Sequence, residues 1–134
     1  MKQLSVFLEN KTGRINELAK TLGKAGINMM AFSMAETSDF GILRLIVSDV
    51  DKAVQVLRDA SFAVMLTDVA CISATNVPGA LSGILDKLAA NDIFIEYMYA
   101  FSEGEMANIV IRTNDLDRCI DILSECQCTL IETV

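Results

Sequence analysis

Two short turns carry the residue types best suited to hold a small charged group. They have the sequences NKTG at residues 10–13 and NVPG at residues 76–79, and each precedes an amphipathic segment. A glycine there removes the Cβ that would keep a ligand off the backbone, and the helix start that follows points N–H groups outward with a partial positive charge. We therefore expect an anion site suited to a free amino acid's carboxylate, whose ammonium group can donate to the carbonyl of Asn10 or Asn76.

The chain is an internal duplication with a spacing of 66 residues. This shift carries Asn10 to Asn76 and Gly13 to Gly79 without a gap. Other pairs fall in the same register: Leu22 with Leu88, Ile27 with Ile93, Leu57 with Leu123 and Asp49 with Asp115. Gap-free agreement across both halves predicts two structural repeats, at residues 1–69 and 70–134.

The turns also have a structural interpretation, which stays open at this point. An asparagine three residues before a glycine is common turn chemistry. Asn28 follows Gly26 at the end of a helical pattern, where a polar residue often only leaves the helix. Descent from one ancestor would copy a structural turn as faithfully as a binding site.

Each repeat predicts the element order strand, helix, strand, strand, helix, strand. Short apolar runs beginning near residues 4, 27, 42 and 62, and again near 70, 93, 108 and 128, predict the strands. Apolar stripes at helical spacing predict the first helices, with Ile15, Leu18, Ala19 and Leu22 in one repeat and Leu81, Ile84, Leu85 and Leu88 in the other. Asp49 and Asp115 are expected to cap the second helices.

This order predicts an α+β fold made of two tandem ferredoxin-like βαββαβ units. Each unit would form a four-stranded antiparallel sheet with both helices on one face. Because a unit of this size buries a thin core, we expect the two units to pair side by side.

Composition and charge exclude several classes of protein. The 134 residues are 52% apolar and 22% charged, which is typical of compact soluble domains. No apolar run approaches the roughly 18 residues that span a bilayer, so we expect a cytoplasmic protein that does not bind membranes. The net charge is −7, and residues 70–134 hold three basic and ten acidic side chains, which disfavours nucleic acid as a partner. An RNA-binding sheet shares the topology and has Tyr97 and Tyr99 available, but the flanking charges are acidic.

Catalytic and metal-binding patterns are missing from the sequence. It contains no histidine, nucleophile elbow, phosphate-cradling glycine loop or HExxH motif, so we predict no enzyme activity and no cofactor. All four cysteines lie in the second half and are expected to be reduced. Cys126 and Cys128 could form half of a metal site, but the shift of 66 places Cys128 at Phe62 and Cys119 at Ala53. Both are therefore predicted to be small core residues, with no metal.

Each repeat resembles an ACT domain, the amino-acid-sensing module attached to many enzymes of amino acid metabolism. The similarity is carried by ENKTGRINELAKTLGKAGIN, at residues 9–28, and by NVPG in the second repeat, which has the Pro-Gly of the family. The first turn departs from that pattern because Thr12 replaces the proline.

The resemblance implies a ligand held between two ACT units, at the first turn of one and the start of the second strand of its neighbour. If the two repeats pair, one site combines Asn76, Pro78 and Gly79 with Asn28 and Met29. The other site combines Asn10, Thr12 and Gly13 with Phe94 and Ile95. Since Phe94 replaces the asparagine at position 28, the second of these sites loses a polar partner.

The function that follows is a free-standing regulatory sensor of amino acid metabolism that binds a small amino acid. Its expected partners are that ligand, a separate metabolic enzyme and a second copy of the chain in a dimer. The alternative is a ligand-free module that dimerises and docks on an enzyme.

Overall fold

The chain folds into two compact units, divided at the end of the fourth strand between Thr67 and Asp68. The computed structural model describes residues 1–36, 39–126 and 128–132. We call the units the N-terminal unit and the C-terminal unit. Within the described residues, no helix is long and apolar enough to cross a membrane.

Both units have the predicted order βαββαβ. The N-terminal unit contains β1 (Lys2–Glu9), α1 (Arg14–Lys24), β2 (Met29–Glu36), β3 (Phe40–Val47), α2 (Val50–Asp59) and β4 (Ala63–Asp68). The C-terminal unit contains β5 (Ala70–Thr75), α3 (Ala80–Ala90), β6 (Ile95–Glu103), β7 (Met106–Thr113), α4 (Leu116–Ser124) and β8 (Thr129–Leu130). The break predicted around residues 36–41 includes Thr37 and Ser38, which lie outside the described residues.

The first strand of each unit is central in its sheet. The strand orders are β2-β3-β1-β4 and β6-β7-β5-β8, and β1 pairs with β3 and β5 with β7 in antiparallel register. Two four-stranded antiparallel sheets carrying helices confirm the predicted tandem ferredoxin-like fold. A central first strand also fixes the turn that follows it at the middle of one sheet end.

The helix ends form as their sequences predict. The carboxylate of Asp49 accepts a hydrogen bond from the Lys52 N–H at 3.1 Å, and that of Asp115 accepts one from the Arg118 N–H at 3.2 Å. These bonds cap α2 and α4 and confirm both predicted N-caps. At the opposite end of the first helices, the Ile27 N–H donates to the Leu22 carbonyl and the Ile93 N–H to the Leu88 carbonyl, each at 3.0 Å.

Each unit has its own core between its helices and one sheet face. Large, fully buried side chains include Leu18, Leu22 and Leu57 in one unit and Ile72, Leu88 and Leu123 in the other, and the shift of 66 pairs Leu22 with Leu88 and Leu57 with Leu123. The predicted apolar stripe on the first helices is too wide. Ile15 is 40% exposed, Leu81 is 38% exposed and Ala19 is exposed, because these helices meet their sheets along the narrower line of Leu18 and Leu22 or Ile84 and Leu88.

The cysteines are free thiols in different surroundings. Cys119 is fully buried in the core, as predicted, and burial followed by the nearby Asp115 carboxylate raises its pKa to about 11. Burial also raises the pKa of Cys71 to about 11. The prediction for Cys128 is only partly right: it packs against the core but stays half-buried beside the two-residue strand β8. Gln127 and residues 133–134 lie outside the described part of the chain.

Candidate functional site

The two strand-to-helix turns have the same backbone conformation. Gly13 has φ 87° and ψ −6°, and Gly79 has φ 87° and ψ −15°. Their hydrogen bonds also match: Arg14 N–H donates to the Lys11 carbonyl and Ala80 N–H to the Val77 carbonyl, each at 3.3 Å. A left-handed conformation of this kind strongly favours glycine, which explains why the duplication keeps a glycine at both turns.

The helix starts that follow the turns are able to receive an anion. The N-cap residues of α1 and α3 are Gly13 and Gly79, which have no side chain to cap these helices. The first-turn N–H groups of a helix have no partner inside it, so those at Leu81 and Ser82 are left to water or to a ligand. The turn and the helix start together therefore provide the partial positive charge that the sequence predicts.

A pocket of about 170 Å³ adjoins the second turn and lies wholly within the C-terminal unit. It lies on the helix-covered face of the sheet, and its polar groups come from Thr75 and Asn76. Leu81 on α3 and two residues of β6, Met98 and Ala100, contribute apolar walls. Such a volume suits the side chain of a small ligand whose charged groups stay at the turn. We call it the turn pocket.

The equivalent positions of the N-terminal unit carry larger side chains. Phe32 takes the place of Met98 and is 61% exposed, and Met34 takes the place of Ala100 and is 52% exposed. Arg14 takes the place of Ala80 and forms ion pairs with Glu9 at 3.3 Å and Glu17 at 2.8 Å. The two turns thus share a backbone and differ in the space beside it.

The strand residues assigned to the site by resemblance lie far from the turn of their own unit. Asn28 and Met29 follow the C-terminal end of α1, and the Asn28 N–H donates to the Ser48 hydroxyl at 2.9 Å. Since α1 has 11 residues, about 16 Å of helix separates them from the turn at residues 10–13. Phe94 and Ile95 occupy the matching place after α3, where Phe94 is 65% exposed.

These positions decide which predicted residues a single unit brings together. Asn76, Pro78 and Gly79 share the second turn, where Asn76 lines the turn pocket, and Asn10, Thr12 and Gly13 share the first turn. Neither set meets the strand start of its own unit. A site that combines a turn with such a strand start therefore requires two units.

Sequence reasoning missed the walls of the turn pocket. The sequence pattern predicts Leu81 as a core residue and does not indicate Met98 or Ala100 as contacts. The signal was present in the duplication, because the shift of 66 replaces Phe32 and Met34 by smaller residues. Smaller side chains at two positions on one face of a strand indicate where space can open beside the second turn.

Metal chemistry has no obvious location in the described residues. Among them, no group of three or more Cys, Asp and Glu side chains is arranged to hold a metal ion. The surroundings of Cys128 instead change the pKa of its thiol. Burial raises its pKa, the adjacent Cys126 raises it further, and the positive charge of Lys87 opposes that shift.

Comparison with known protein families settles what the duplicated unit is. The family model described as an ACT domain pair matches residues 1–133. The chain belongs to the ACT domain family. Among curated proteins, none matches the sequence.

Solved structures agree with this assignment. A crystal structure of a Bacteroides thetaiotaomicron protein is 53% identical, with a TM-score of 0.92, and the match covers 97% of this chain and 90% of that one. The regulatory subunit of aspartate kinase from Thermus thermophilus, in its ligand-free form, has a TM-score of 0.68 at 12% identity, covering 94% and 91% of the chains. The Thermus flavus counterpart gives 0.63 at 14% identity, covering 92% and 90%. At these lower identities the two kinase subunits show a shared fold.

Proposed function

We propose that this ACT domain pair is a regulatory sensor that binds a small free amino acid and has no catalytic role of its own. The ACT pair resembles regulatory domains, and its second turn combines an uncapped helix start with a turn pocket of about 170 Å³. That combination is the observation that carries the proposal. It supplies a place for a carboxylate and, beside it, a place for a short side chain.

The proposed site needs one turn and one strand start from different units. On the stronger side, Asn76, Pro78 and Gly79 meet Asn28 and Met29, so that two side-chain amides are available to the ligand. On the weaker side, Asn10, Thr12 and Gly13 meet Phe94 and Ile95. We propose that residues 1–69 and 70–134 are the pairing units, side by side within a chain or across a dimer.

The chemistry assigned to each part follows from its donors and acceptors. The N–H groups at the start of α3 bind the carboxylate, and the Asn76 carbonyl accepts from the ammonium group. The side chain enters the apolar turn pocket between Leu81 and Met98. Regulation then acts on a separate metabolic enzyme, and we place the protein in the cytoplasm.

A thermal-shift screen against the twenty amino acids tests this function. A ligand that binds only the folded state stabilises it by about 2.7 kcal/mol when its concentration is one hundred times its Kd. The melting temperature therefore rises with the ligand concentration. A dose-dependent rise for one or a few amino acids is the expected result. The absence of any rise across the set at millimolar concentrations would overturn the proposal.

Calorimetry on Asn28→Ala then tests the pairing of turn and strand. Removing one or two hydrogen bonds to a charged ligand, each worth roughly 1.5 to 3 kcal/mol, weakens binding by at least about tenfold. Asn10→Ala is the control with a smaller expected loss. A larger loss for Asn10→Ala would mean that each repeat meets its own copy in a second chain.

Exposed aromatic residues favour one second candidate, a module that docks on an enzyme without binding a ligand. Phe32 and Phe94 are both more than half exposed. Apolar side chains of this size at the surface often mark protein contacts. The same thermal-shift screen separates the two functions, because a docking module does not respond to amino acids.

A further inference from the structure

The C-terminal unit contains a second, larger cavity beside the turn pocket. The two cavities share Ala74, Thr75, Val77 and Ala80, and Gly79 of the turn also lines the larger one. This cleft has a volume of about 590 Å³ and lies between α3 and the connection from α4 to β8. Gly83, Lys87 and Cys126 line it and take no part in the turn pocket, whereas Asn76, Leu81 and Met98 line only the turn pocket. The two cavities therefore adjoin the start of α3 on different flanks. A volume of this size is in the range of small-molecule sites, roughly 300 to 1,000 Å³.

The N-terminal unit fills the equivalent place with its own side chains. The guanidinium carbon of Arg14 lies 4.0 Å from the centroid of the Phe62 ring, a cation–π contact. The same guanidinium is paired with Glu9 and Glu17, and the Arg14 side chain is only 13% exposed. One arginine, one aromatic ring and two glutamates that are more than half exposed thus occupy this place, and we call them the plug.

All four members of this plug are replaced by small residues in the C-terminal unit. At the shift of 66, the replacements are Arg14 by Ala80, Glu9 by Thr75, Glu17 by Gly83 and Phe62 by Cys128. Three of these replacements, Thr75, Ala80 and Gly83, line the cleft directly. The cleft is therefore the space left when one unit loses a plug that the other keeps.

The charged residues of the place also differ between the units, and the cleft is lined by Lys87 and by the exposed Glu125. Lys87, the only lysine among residues 70–134, replaces Thr21, and the two carboxylates of the plug are gone. Its ammonium group reaches across the cleft and donates to the backbone carbonyl of Glu125 at 3.4 Å. Within the described residues Lys87 forms no ion pair, so at least two of its three donors are open to a ligand. In the N-terminal unit the guanidinium of Arg14 is paired with two glutamates. A cation bound in the cleft would instead lie near the positive charge of Lys87.

Beside Lys87, Thr75 and Glu125, the cleft has apolar walls. Val77 and Ala80 flank the turn end of the cleft, and Ile84 forms part of its floor. A ligand that matches both the Lys87 ammonium group and the apolar walls carries one negative charge and a short apolar chain.

We propose that the C-terminal unit binds a small organic carboxylate with a short apolar chain in this cleft, with Lys87 as its charge partner. This inference does not rest on the proposed amino-acid site. It assigns a second ligand to the ACT pair, at a place formed by one unit alone.

Three probes of equal chain length test the charge requirement: hexanoate, hexanamide and hexylamine. Each is titrated into the full chain at constant ionic strength while backbone amide shifts are followed by NMR. Hexanoate is expected to shift the amides of Gly83, Lys87 and Cys126. Hexanamide should bind at least about tenfold more weakly because it loses the charge-assisted hydrogen bond, and hexylamine should leave these amides unchanged.

Two variants locate the site. Lys87→Met keeps most of the side-chain volume and removes the charge, so it should weaken hexanoate by at least about tenfold, whereas the matched control Lys20→Met on α1 should not. The double variant Ala80→Arg with Gly83→Glu rebuilds part of the plug of the N-terminal unit. A Cβ at Gly83 meets nothing within 4 Å, so the fold can accept the change, and hexanoate binding should be lost.

Four results would overturn the proposal. They are equal binding of hexanoate and hexanamide, no shifts with hexanoate, shifts confined to Asn76, Leu81 and Met98, or undiminished binding in Lys87→Met. Hexanoate shifts at Gly83 in a chain that binds no amino acid would support this site and contradict only the proposed function.

Discussion

The two units share the backbone conformation of the strand-to-helix turn and differ in the side chains that lie beside this turn. Their first helices occupy matching residues, their turn glycines share φ 87°, and their turn hydrogen bonds correspond pair by pair. The N-terminal unit places Arg14, Phe32 and Met34 where the C-terminal unit has Ala80, Met98 and Ala100. On a matching backbone, the two units therefore differ in the size of the side chains beside the turn.

The comparison also separates what duplication preserves for folding from what it preserves for binding. The turn glycines and the caps of the second helices serve the fold, since each satisfies a local backbone requirement. The plug residues and the strand residues beside the turn satisfy no backbone requirement of this kind, although Phe62 also belongs to the buried core of its unit. These residues differ between the two units, and the smaller ones line the cavities of the C-terminal unit.

The largest expected effect tests whether the two cores are equivalent. Leu22 and Leu88 are matched, fully buried helix residues, so Leu22→Ala and Leu88→Ala should each lower the free energy of unfolding by about 2 to 5 kcal/mol. Urea denaturation followed by circular dichroism measures both. Leu81→Ala is the control, with a much smaller loss because Leu81 is 38% exposed. Widely different losses at Leu22 and Leu88 would show that the units do not share one packing scheme.

The second effect belongs to the C-terminal unit alone, because all four cysteines lie there. Burial raises the pKa of Cys71 and Cys119 from 9.0 to about 11, so at a given pH below 9 their thiolate fractions are about one hundredfold lower than for an ordinary thiol. Alkylation mapped by mass spectrometry should modify Cys126 first and these two last.

The same pKa shift predicts an alkaline loss of stability. A thiol with a raised pKa in the folded state contributes stability that is complete below pH 9 and is lost as the pH rises toward about 11, because the unfolded chain releases the proton first. The urea midpoint of the unchanged protein should fall across that interval. The fall from the midpoint at pH 8 should be smaller in Cys119→Ala. Rapid native-state alkylation of Cys119, or midpoints that stay flat from pH 8 to pH 11, would contradict the assignment.

A smaller effect tests the equivalence of the two turns. Gly13→Ala and Gly79→Ala should each cost about 1 to 2 kcal/mol, since an added Cβ meets nothing within 4 Å and the cost comes from the left-handed φ alone. Gly83→Ala is the control of opposite sign, because alanine in a helix interior stabilises by up to about 1 kcal/mol. Chemical denaturation gives all three values. Unequal losses at Gly13 and Gly79 would mean that the turns differ in more than their side chains.

Much of the fold could be predicted from sequence because the duplication supplied two independent versions of each element. The Asp49 and Asp115 caps and both element orders follow from local patterns that the structure confirms. The exposure of Ile15, Ala19 and Leu81 could not be predicted, because spacing shows which residues share a helix face but not how far the sheet extends beneath it.

The candidate site was predictable only in part. The turns are visible as Asn-x-x-Gly, a local signal. The turn pocket and the cleft depend on side chains that are smaller in the second repeat, such as Gly83 in place of Glu17. They also depend on tertiary contacts, because the turn pocket lies between α3 and β6 and the cleft lies between α3 and the residues after α4. Absence of volume becomes informative only when the two repeats are compared position by position on a known fold.

The central claim is that the turn of the C-terminal unit, and not that of the N-terminal unit, holds the amino acid. Calorimetric titration of the ligand found by thermal shift, carried out on the matched pair Asn76→Ala and Asn10→Ala, tests it most directly. We predict at least about a tenfold loss of affinity for Asn76→Ala, the effect of one hydrogen bond to a charged group, and little change for Asn10→Ala. Equal losses, or a greater loss at Asn10, would contradict the account.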